Sequence, residues 1–461
     1  MSSTYQPPKS ILFVGTSLFS LSTTLSLLRR PLYAQTKITL LDRSPFPSPD
    51  ASSVDSSRII RADYSDPYYS ALAASAQEIW RQNASHELGG QGRYTESGLC
   101  LTCDTSYANS GAGYVRKSYE NVKGLMQQAG DTTGVQELPS KTDISKQLGT
   151  GPGSGEWGYI NHRSGWADAE ASLVWLRNEV ERLSAGRVTF VTAEATSLIF
   201  SSCGSSVLGA HTSDGTRYHA DLTIVAAGAW SGKFLDLRSQ VHASGQCLLY
   251  VQISDAEQER LKDLPVLLNM STGWFIIPPR NNILKIARHA HGYSNPTTIP
   301  HPHPSASSSE TQITVSLPRT TYDSPSNAVP LPFQKEAAEA LSQLLPDLSP
   351  RPFISTRICW YSDTPAGEFL ITYCDKPVEE GGLGMKGVFL ATGGSGHGFK
   401  FLPVLGEKIV DVMEGKDEEW ERKWGWKDRK EWDGMTEDGS RAGRRGEVLG
   451  PLEEVIQKSR L

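Results

Sequence analysis

The chain has 461 residues, of which 51 are acidic and 45 are basic, so its formal net charge is −6 at pH 7. A chain of this length is expected to form two or three domains whose cores need no disulfides, and the absence of an extended basic run argues against a nucleic-acid partner. The apolar residues, 38% of the total, are scattered, and no run approaches the ~18 consecutive apolar residues of a membrane span.

The first elements predict a βαβ unit. Ile11–Val14 reads as a buried strand, Leu18–Leu28 as a helix, and Lys37–Asp42 as a second strand that ends in an acid. In units of this kind that bind a dinucleotide, the helix N-terminus faces the pyrophosphate and the terminal acid binds a ribose.

The turn of this unit departs from the GxGxxG pattern. Gly15 is present and is followed by Thr16, but Ser17 and Ser20 stand where the second and third glycines are expected. Each added Cβ is expected to cost on the order of 1 kcal/mol if the backbone there needs a positive φ. This turn alone leaves dinucleotide binding and an ordinary βαβ connection equally open.

Cys100 and Cys103 form a CxxC within a β-like run, without a second CxxC or a nearby histidine. A core position is therefore favoured over a zinc or redox site. Residues 1–9 are polar and lack the apolar core of a signal peptide, so we expect the six cysteines to lie in a reducing compartment.

Further along the chain, residues 168–183 predict an amphipathic helix, and residues 187–191 and 206–210 predict strands. The apolar strand that begins at Leu222 ends in small residues around Gly228 and is followed by Trp230. Small residues at a strand end allow a bulky ligand to lie against the backbone.

Two segments predict surface structure. Pro296–Ser309 is rich in proline, serine and histidine, so we expect an exposed loop whose histidines are solvated and bind no metal. Lys416–Arg445 is a charged, tryptophan-containing run without a core period, and it predicts a tail that wraps the surface.

Gly393–Lys400 is a glycine-rich loop between the apolar strand Val388–Ala391 and the helix-like Leu405–Met413. Such a loop lets backbone N–H groups approach a ligand. Phe399 stands where a phosphate-binding P-loop needs lysine, so that motif is not indicated.

Three segments together resemble the FAD-dependent amine oxidase family of sarcosine oxidase, pipecolate/saccharopine oxidase and fructosyl amino acid oxidase. Asp55–Tyr64 resembles the arginine-bearing active-site segment of that family, Arg357–Thr364 its flavin-attachment strand, and Gly393–Lys400 its Gly-x-Ser-Gly-His-Gly-Phe-Lys loop. The resemblance implies an α/β fold like that of sarcosine oxidase and D-amino-acid oxidase. Such a fold has a discontinuous Rossmann-like FAD-binding domain and a substrate domain with a mostly antiparallel sheet.

The resemblance also implies the domain boundaries. Residues 9–90, 165–235 and 355–415 would form the FAD-binding domain, residues 91–164 and 236–354 the substrate domain, and residues 416–461 a charged C-terminal tail.

FAD is the cofactor that the resemblance implies, and no metal is expected. Cys359 matches the family cysteine that carries the flavin through a thioether, a tether that would offset the altered turn, although a buried core cysteine is the simpler alternative. The other residues that would hold FAD are Gly15, Thr16, Ser17, Ser20, Asp42, Arg43, Ser57, Arg58, Gly228, Trp230, Gly394, Gly396, His397, Gly398 and Lys400.

The catalytic residues are likewise implied by the resemblance. Arg61 and Lys400 would clamp a substrate carboxylate, unless they merely form surface salt bridges. Lys285 would stabilise negative charge near the flavin N5 as dioxygen is reduced.

Residue 289 separates the subfamilies. Lys285 and His289 share one face of a predicted strand, and at the position of His289 sarcosine oxidases carry histidine whereas fructosyl amino acid oxidases carry glutamate. Arg357–Thr364 and the run Phe399–Pro403 look closer to the fungal deglycating branch. Trp274 and Tyr361 are candidates either for aromatic cavity walls or for the core.

The implied function is FAD-dependent oxidation of a secondary (N-substituted) amino acid by dioxygen to an imine and hydrogen peroxide. N-methyl amino acids, pipecolate and saccharopine would fit the clamp. The alternatives are a flavin-dependent oxidative cyclase of secondary metabolism that acts on an N-methyl amino acid, a fructosyl amino acid oxidase and, from other classes, an NAD-linked dehydrogenase or a flavin-free binding protein.

The last three residues, Ser459–Leu461, resemble the Ser-Lys-Leu address that the peroxisomal import receptor reads. We therefore expect a peroxisomal protein, with a cytoplasmic one as the alternative. We expect a monomer whose partners are the substrate, dioxygen and the import receptor, without a nucleic acid or a membrane.

Overall fold

The computed structural model describes residues 5–105, 111–303, 310–320, 329–378, 382–428 and 431–450. The predicted C-terminal address and the end of the histidine-rich stretch lie outside these ranges. None of the helices within them combines the length and the apolar composition of a membrane span.

The strands are β1 (Ser10–Val14), β2 (Lys37–Asp42), β3 (Arg58–Ile60), β4 (Tyr94–Thr95), β5 (Leu99–Cys103), β6 (Val135–Leu138), β7 (Trp157–Asn161), β8 (Gly165–Ala167), β9 (Val188–Thr192), β10 (Ala195–Phe200), β11 (Val207–Thr212), β12 (Arg217–His219), β13 (Leu222–Val225), β14 (His242–Gln252), β15 (Val266–Asn269), β16 (Trp274–Arg280), β17 (Ile283–Arg288), β18 (Pro296–Pro300), β19 (Gln312–Ser316), β20 (Phe353–Asp363), β21 (Leu370–Tyr373) and β22 (Val388–Thr392). The helices are α1 (Leu18–Arg29), α2 (Pro67–Trp80), α3 (Ala112–Gln128), α4 (Lys141–Leu148), α5 (Ala169–Leu183), α6 (Asp255–Leu261), α7 (Leu331–Leu344), α8 (Leu402–Met413) and α9 (Glu418–Trp424).

A six-stranded sheet in the order β21-β22-β13-β1-β2-β9 forms the first layer. The pairs from β22 to β9 are parallel, and only β21 runs antiparallel. Its central strands are apolar and buried on both faces, as parallel strands covered by helices are. The predicted βαβ unit and the strand before Gly228 therefore lie side by side in one Rossmann-like sheet.

Helices α1 and α8 pack closely because residue 406 is glycine. A Cβ on Gly406 would lie 1.9 Å from the Ser22 carbonyl oxygen. The Ser22 hydroxyl donates to the Leu402 carbonyl and accepts from the Gly406 N–H, both at 2.8 Å. These bonds fix α8, and with it the glycine loop that precedes it, against α1.

An eight-stranded sheet in the order β20-β14-β17-β16-β15-β5-β7-β6 forms the second layer. All its pairs are antiparallel except β15–β5, which confirms the predicted mostly antiparallel sheet. The register on β14 places Lys285 opposite Tyr250 and Cys359 opposite Gln246. The lysine strand and the cysteine strand therefore flank the same central strand.

Two expected boundaries differ from the structure. Residues 355–363 were assigned to the FAD-binding domain, but they belong to β20, which pairs with β14 of the eight-stranded sheet. The segment that begins at Pro296 was expected to be a loop, but its first five residues form β18, which pairs with β19. The strand has three consecutive β-branched residues, Thr297, Thr298 and Ile299, which favour a strand, but the flanking prolines obscured this signal.

The tail departs further from the expected surface wrap. Trp420 and Trp424 on α9 are 6% and 0% exposed, and Trp424 Nε1 donates to the Tyr69 hydroxyl at 2.8 Å. Arg441 is buried as well, with a side chain 2% exposed. A short helix that buries two aromatic side chains leaves too few apolar positions for a detectable period.

Candidate functional site

A long groove of about 350 Å³ begins at the carboxyl ends of β1, β2 and β13 and reaches β20. This position is the usual ligand site of an open parallel sheet. Arg43 covers the Trp230 ring in this groove, with its guanidinium carbon 4.7 Å from the ring centroid. The predicted cofactor residues that line the groove are Gly15, Ser17, Asp42, Arg43, Arg58, Gly228, Trp230, Gly394, Gly396 and Gly398.

The altered βαβ turn is not strained. Ser17 has an extended backbone with φ −148°, and Ser20 lies in the first turn of α1, where its hydroxyl accepts from the Ser17 N–H at 2.8 Å and donates to the Ser17 carbonyl at 3.0 Å. The expected penalty for two missing glycines is therefore absent. Gly15 is the position that needs glycine, since its φ is +106° and a Cβ would lie 2.5 Å from the Ala226 carbonyl oxygen.

Two predicted cofactor residues of this turn stabilise the turn itself. The Thr16 N–H donates to the Asp42 carboxylate at 2.8 Å, and Ser20 is fully buried behind Ser17. Burial raises the pKa of Asp42, although the Thr16 N–H favours its charged form. A carboxylate that is fixed in this way at the end of β2 can accept hydrogen bonds from ribose hydroxyls.

The glycine loop packs against β20. A Cβ on Gly396, where φ is +67°, would lie 2.2 Å from a ring carbon of Tyr361. The Ser395 N–H donates to the Ser362 carbonyl at 3.0 Å. The loop glycines therefore let Tyr361 reach the groove, which is a different use from the cradling of a phosphate.

A small cavity of about 70 Å³ continues from the groove and shares Arg58, Tyr361 and Gly396 with it. Its apolar wall comes from Leu248, Leu268, Phe275 and Ile277. Its polar wall contains most of the remaining predicted site residues, namely Ser57, Arg61, Lys285, His289, Cys359, His397 and Lys400.

Cys359 lines the small cavity from the same strand as Tyr361, which also lines the groove. Its side chain is buried, and Arg58 Nη2 donates to its sulfur at 3.5 Å. Trp274, an alternative wall residue, lies instead in the core against Phe333, with ring centroids 5.3 Å apart.

Arg61 and Lys400 form one end of the small cavity. Arg61 Nη2 donates to the Tyr114 hydroxyl at 3.3 Å, while Nη1 is buried and has no hydrogen-bond partner among the described residues. Lys400 Nζ donates to the Tyr64 hydroxyl at 2.9 Å and to the His397 carbonyl at 2.8 Å. Burial and the Arg61 charge hold the pKa of Lys400 well below its usual value. Neither group forms an ion pair with a carboxylate in the described ranges, and the buried Asp63 acts on both only through longer-range attraction. This end of the cavity can therefore take an anion.

His397 is neutral and has a defined tautomer. Burial lowers its pKa well below the usual value. Its Nε2 is 2.7 Å from the Gly367 carbonyl, which can only accept, so Nε2 carries the proton and Nδ1 accepts from the Tyr64 hydroxyl at 2.9 Å. Tyr64 thus connects His397 to Lys400 and fixes the direction of both side chains.

His289 forms another wall of the small cavity and is also neutral. Burial and the neighbouring Arg441 lower its pKa well below the usual value. Arg441 Nη1 donates to His289 Nδ1 at 3.4 Å, and Nη2 pairs with Asp363 at 2.6 Å and donates to the Ser395 carbonyl at 2.9 Å. Sequence reasoning missed Arg441, because nothing distinguished it from the other charges of the tail.

Lys285 forms the opposite end of the small cavity. Its Nζ donates to Asp55 Oδ2 at 2.6 Å and to the Ser57 carbonyl at 3.0 Å. Burial lowers the pKa of Lys285 to about 8, while Asp55 acts in the opposite direction. Asp55 stood within the segment that carried the resemblance but was not singled out, since the pattern there is defined by its arginines.

The CxxC is part of the core. Cys100 and Cys103 are both fully buried, and burial raises the pKa of each thiol, that of Cys103 to about 11. The described part of the chain contains no group of three or more His, Cys, Asp or Glu residues that could hold a metal ion.

The geometry fits FAD. The groove offers an acid at the end of β2 and a backbone without side chains at Gly15 and Gly228. The small cavity beyond Tyr361 contains Cys359. Around Gly228, where φ is +53°, no atom lies within 4 Å of the position of a Cβ. A dinucleotide would be held along this groove by Gly15, Asp42 and Gly228.

Comparisons with known proteins agree with this geometry. The family model described as FAD dependent oxidoreductase matches residues 14–412. The chain is 30% identical over 458 residues to the amino acid oxidase imqH of Aspergillus flavus, covering 88% of this chain and 93% of the relative. It is 28% identical over 445 residues to L-saccharopine oxidase of Schizosaccharomyces pombe, covering 91% of this chain and 93% of that protein.

A solved structure extends the likeness to three dimensions. The fructosamine oxidase Amadoriase II of Aspergillus fumigatus, a deglycating enzyme, superposes with a TM-score of 0.74 at 27% identity, covering 95% of this chain and 94% of that one. These findings confirm the predicted resemblance and the predicted cofactor. The chain belongs to the FAD dependent oxidoreductase family, and it is an FAD-dependent oxidoreductase whose FAD-binding domain faces a mostly antiparallel substrate domain.

Proposed function

We propose that the protein oxidises a secondary (N-substituted) amino acid to an imine and passes the electrons to dioxygen, which forms hydrogen peroxide. The observation that carries this proposal is the buried Arg61 Nη1, which has no partner among the described residues and lies beside Lys400 in the small cavity. An amino acid supplies the carboxylate that these cations lack. The similarity to two fungal amino acid oxidases supports this substrate class.

The clamp orients the substrate. A carboxylate bound to Arg61 and Lys400 fixes the neighbouring α-carbon towards the groove and lowers the entropy cost of reaching the reactive geometry. FAD held along Gly15, Asp42 and Gly228 would supply the acceptor for a hydride from that α-carbon, and the amine nitrogen would release its proton as the C=N bond forms. His289 and His397 are neutral, so they add no charge that would repel a protonated substrate before it loses that proton.

Lys285 acts on the second half of the reaction. Reduction of dioxygen develops negative charge, and a fixed cation in a site without water stabilises that charge strongly. The Lys285 ammonium is 4% exposed and lies beside Cys359, where the ring system would attach. Overall, one amine and one dioxygen give one imine and one hydrogen peroxide, with both electrons and both protons drawn from the amine.

We further propose that Cys359 carries the flavin through a thioether. Its position in the small cavity next to the groove supports this attachment, and so does the guanidinium of Arg58 beside its sulfur, since Arg58 lines both spaces. The test is the visible spectrum of the acid-precipitated protein. The yellow chromophore is expected in the pellet of the wild type and in the supernatant of Cys359→Ser, and free flavin from both proteins would refute the tether.

Two related reactions remain alternatives on the same site. The structural likeness to a deglycating enzyme favours a fructosyl amino acid as substrate, but the position of the sugar-gripping glutamate is taken by His289, which contacts Arg441. An oxidative cyclase would use the same clamp and then trap the imine within the substrate. Product analysis by mass spectrometry separates these reactions, because a hydrolysed imine, a released dicarbonyl sugar and a new ring differ in mass.

The test of the proposed function is a screen for peroxide release. N-methyl amino acids, L-pipecolate, L-saccharopine and a fructosyl amino acid are offered to the wild type and to Arg61→Met, with the matching decarboxylated amines as controls. Activity is expected with at least one secondary amino acid, and it should be lost in Arg61→Met. Turnover of the decarboxylated amines at the same rate as the acids would contradict the proposal.

A further inference from the structure

The pair formed by Lys285 and Asp55 separates two cavities. On one side lies the small cavity that also contains Arg61 and Lys400. On the other lies a rear cavity of about 1050 Å³, which is open to solvent and is lined by Asp55, Ser57, Tyr250, Lys285 and Arg357 among others. Lys285 is a wall residue of both cavities. The ammonium can therefore stabilise charge in the small cavity and exchange protons with solvent through the rear cavity.

Asp55 is fixed by several donors. Its Oδ2 accepts from Lys285 Nζ at 2.6 Å and forms an ion pair with Arg58. Its Oδ1 accepts from the Tyr250 hydroxyl at 3.0 Å and from the Ser56 N–H at 2.7 Å. With a side chain 1% exposed and both oxygens occupied, the carboxylate has no freedom to turn away from Lys285.

The donors of Lys285 are correspondingly constrained. An ammonium has three N–H groups, and two of them point to Asp55 Oδ2 and to the Ser57 carbonyl. Both acceptors lie on the chain segment just before β3. The third N–H is left for the small cavity, so the position of Asp55 decides the direction of the remaining donor.

The charges around Lys285 show why a carboxylate is needed. Arg58 on β3 and the Cys359 thiol on β20 act on Lys285 directly, whereas Arg357 on β20 and the Tyr250 phenol on β14 line the rear cavity with it, and Arg357 acts on Asp55. On β16, the residue opposite Lys285 is the apolar Ile277. Asp55 is the carboxylate that pairs with Lys285 among the described residues. Without it, the buried ammonium would face the Arg58 guanidinium with no carboxylate beside it, which lowers its pKa further.

We propose that Asp55 is the positioning residue of Lys285, that it keeps the ammonium charged and directed into the small cavity, and that the pair exchanges its protons with solvent through the rear cavity. The inference rests on the proposed function for its catalytic meaning, because a charged Lys285 is the group that would stabilise the reduction of dioxygen. The pairing itself requires no substrate.

The test measures the protonation of Lys285 directly. Holoenzyme is labelled with acetic anhydride at a series of pH values from 6 to 11, and the acetylation of the peptide that contains Lys285 is followed by mass spectrometry. In the wild type the midpoint is expected near pH 8, as burial sets it. In Asp55→Asn the midpoint should fall by about 1–3 pH units, because an adjacent opposite charge shifts a pKa by that amount.

Glu170→Gln is the matched control. Glu170 lines the same rear cavity with an exposed side chain, and it belongs to neither the clamp nor the lysine pair, so its removal should leave the midpoint unchanged. The same midpoint in the wild type and Asp55→Asn would overturn the positioning role. A Lys285 that stays unlabelled at pH 11 in the wild type would overturn the exchange through the rear cavity.

A second measurement connects the pair to dioxygen. The flavin is reduced anaerobically with dithionite and mixed with oxygenated buffer, so no substrate is involved. The rate of reoxidation should fall at a lower pH in Asp55→Asn than in the wild type, by the same shift that labelling shows. Equal pH profiles beside a shifted labelling midpoint would refute the catalytic part of the role, whereas failure of the proposed substrate class would leave both measurements intact.

Discussion

The two ends of the small cavity each contain a buried lysine, but the chain treats them differently. Lys285 donates to Asp55 at 2.6 Å, and its pKa falls only to about 8. Lys400 donates to a hydroxyl and a carbonyl, has Arg61 as its neighbour, and forms no ion pair in the described part of the chain. One positive charge is thus balanced by the protein, and the other is left for a ligand to balance.

The difference assigns a separate task to each end. A buried charge without a partner costs several kcal/mol, so binding of an anion lowers the free energy most at the Arg61–Lys400 end. This end therefore selects for an anionic substrate. The Lys285 end has already formed its ion pair, so binding of an anionic substrate changes it little. Selection of the substrate and reaction with dioxygen should consequently respond to different substitutions.

The largest effect is expected at the unpaired end. Arg61→Ala removes one of the two cations that would bind the substrate carboxylate. kcat/KM should fall roughly 100-fold, which corresponds to a loss of about 3 kcal/mol in stabilisation of the transition state. Arg61→Lys keeps the positive charge, so its kcat/KM should fall less than that of Arg61→Ala. Reoxidation of the reduced flavin by dioxygen should be unaffected in both variants. If it slows in parallel with kcat/KM, the two ends do not have separate tasks.

The opposite pattern is expected at the paired end. Lys285→Met should lower the rate of flavin reoxidation by roughly 100-fold, since one electrostatic contact to a developing charge is worth about that much. Asp55 retains Arg58 and the Ser56 N–H as partners, so the variant should fold. Stopped-flow absorbance measures this rate, and the surface variant Lys262→Met serves as the control. Full oxygen reactivity in Lys285→Met would refute the role of this lysine.

A pH dependence follows from the same pair. The folded-state pKa of Lys285 lies near 8, below the ordinary lysine value, so the ammonium is present below that pH and is lost as the pH rises through it. The rate of reoxidation should therefore be constant at neutral pH and decline above about pH 8. A rate that stays flat to pH 10 would show that the charge on Lys285 is irrelevant to this step.

A smaller effect is expected at Tyr64, which bridges Lys400 and His397 by hydrogen bonds. Tyr64→Phe removes the hydroxyl, leaves Lys400 less fixed, and should weaken binding of a carboxylate-bearing substrate by about tenfold, or roughly 1.4 kcal/mol. The readout is KM under steady-state conditions, with Tyr119→Phe as a control outside the cavity. An unchanged KM would indicate that Lys400 is held by the His397 carbonyl alone.

Sequence patterns predicted the elements that position the site. The strand before Gly15, the strand before Gly228 and the strand of Lys285 all appear where periodicity places them, because each is a short apolar run bounded by turn residues. The Cys359 strand was found as well, but it was grouped with the FAD-binding segments, whereas it pairs with β14 of the eight-stranded sheet. Pairing partners that are distant in sequence leave no local trace.

The residues that sequence reasoning missed are those that act through tertiary contacts. Arg441 reaches the site from the tail, and Asp55 pairs with a lysine 230 positions away in the sequence. Neither has a local pattern of its own. The expected strain at Ser17 was wrong for a related reason, because a serine at position 20 caps the helix with its hydroxyl, which a GxGxxG template does not include.

The central claim is that the unpaired cations at Arg61 and Lys400 bind the carboxylate of the substrate. The most direct test takes the best secondary amino acid from the peroxide screen and compares it with its primary amide, which has the same shape but no charge at that group. The wild type should prefer the acid by roughly 100-fold in kcat/KM, and Arg61→Ala should lose most of that preference. Equal kcat/KM values for acid and amide in the wild type would contradict the account.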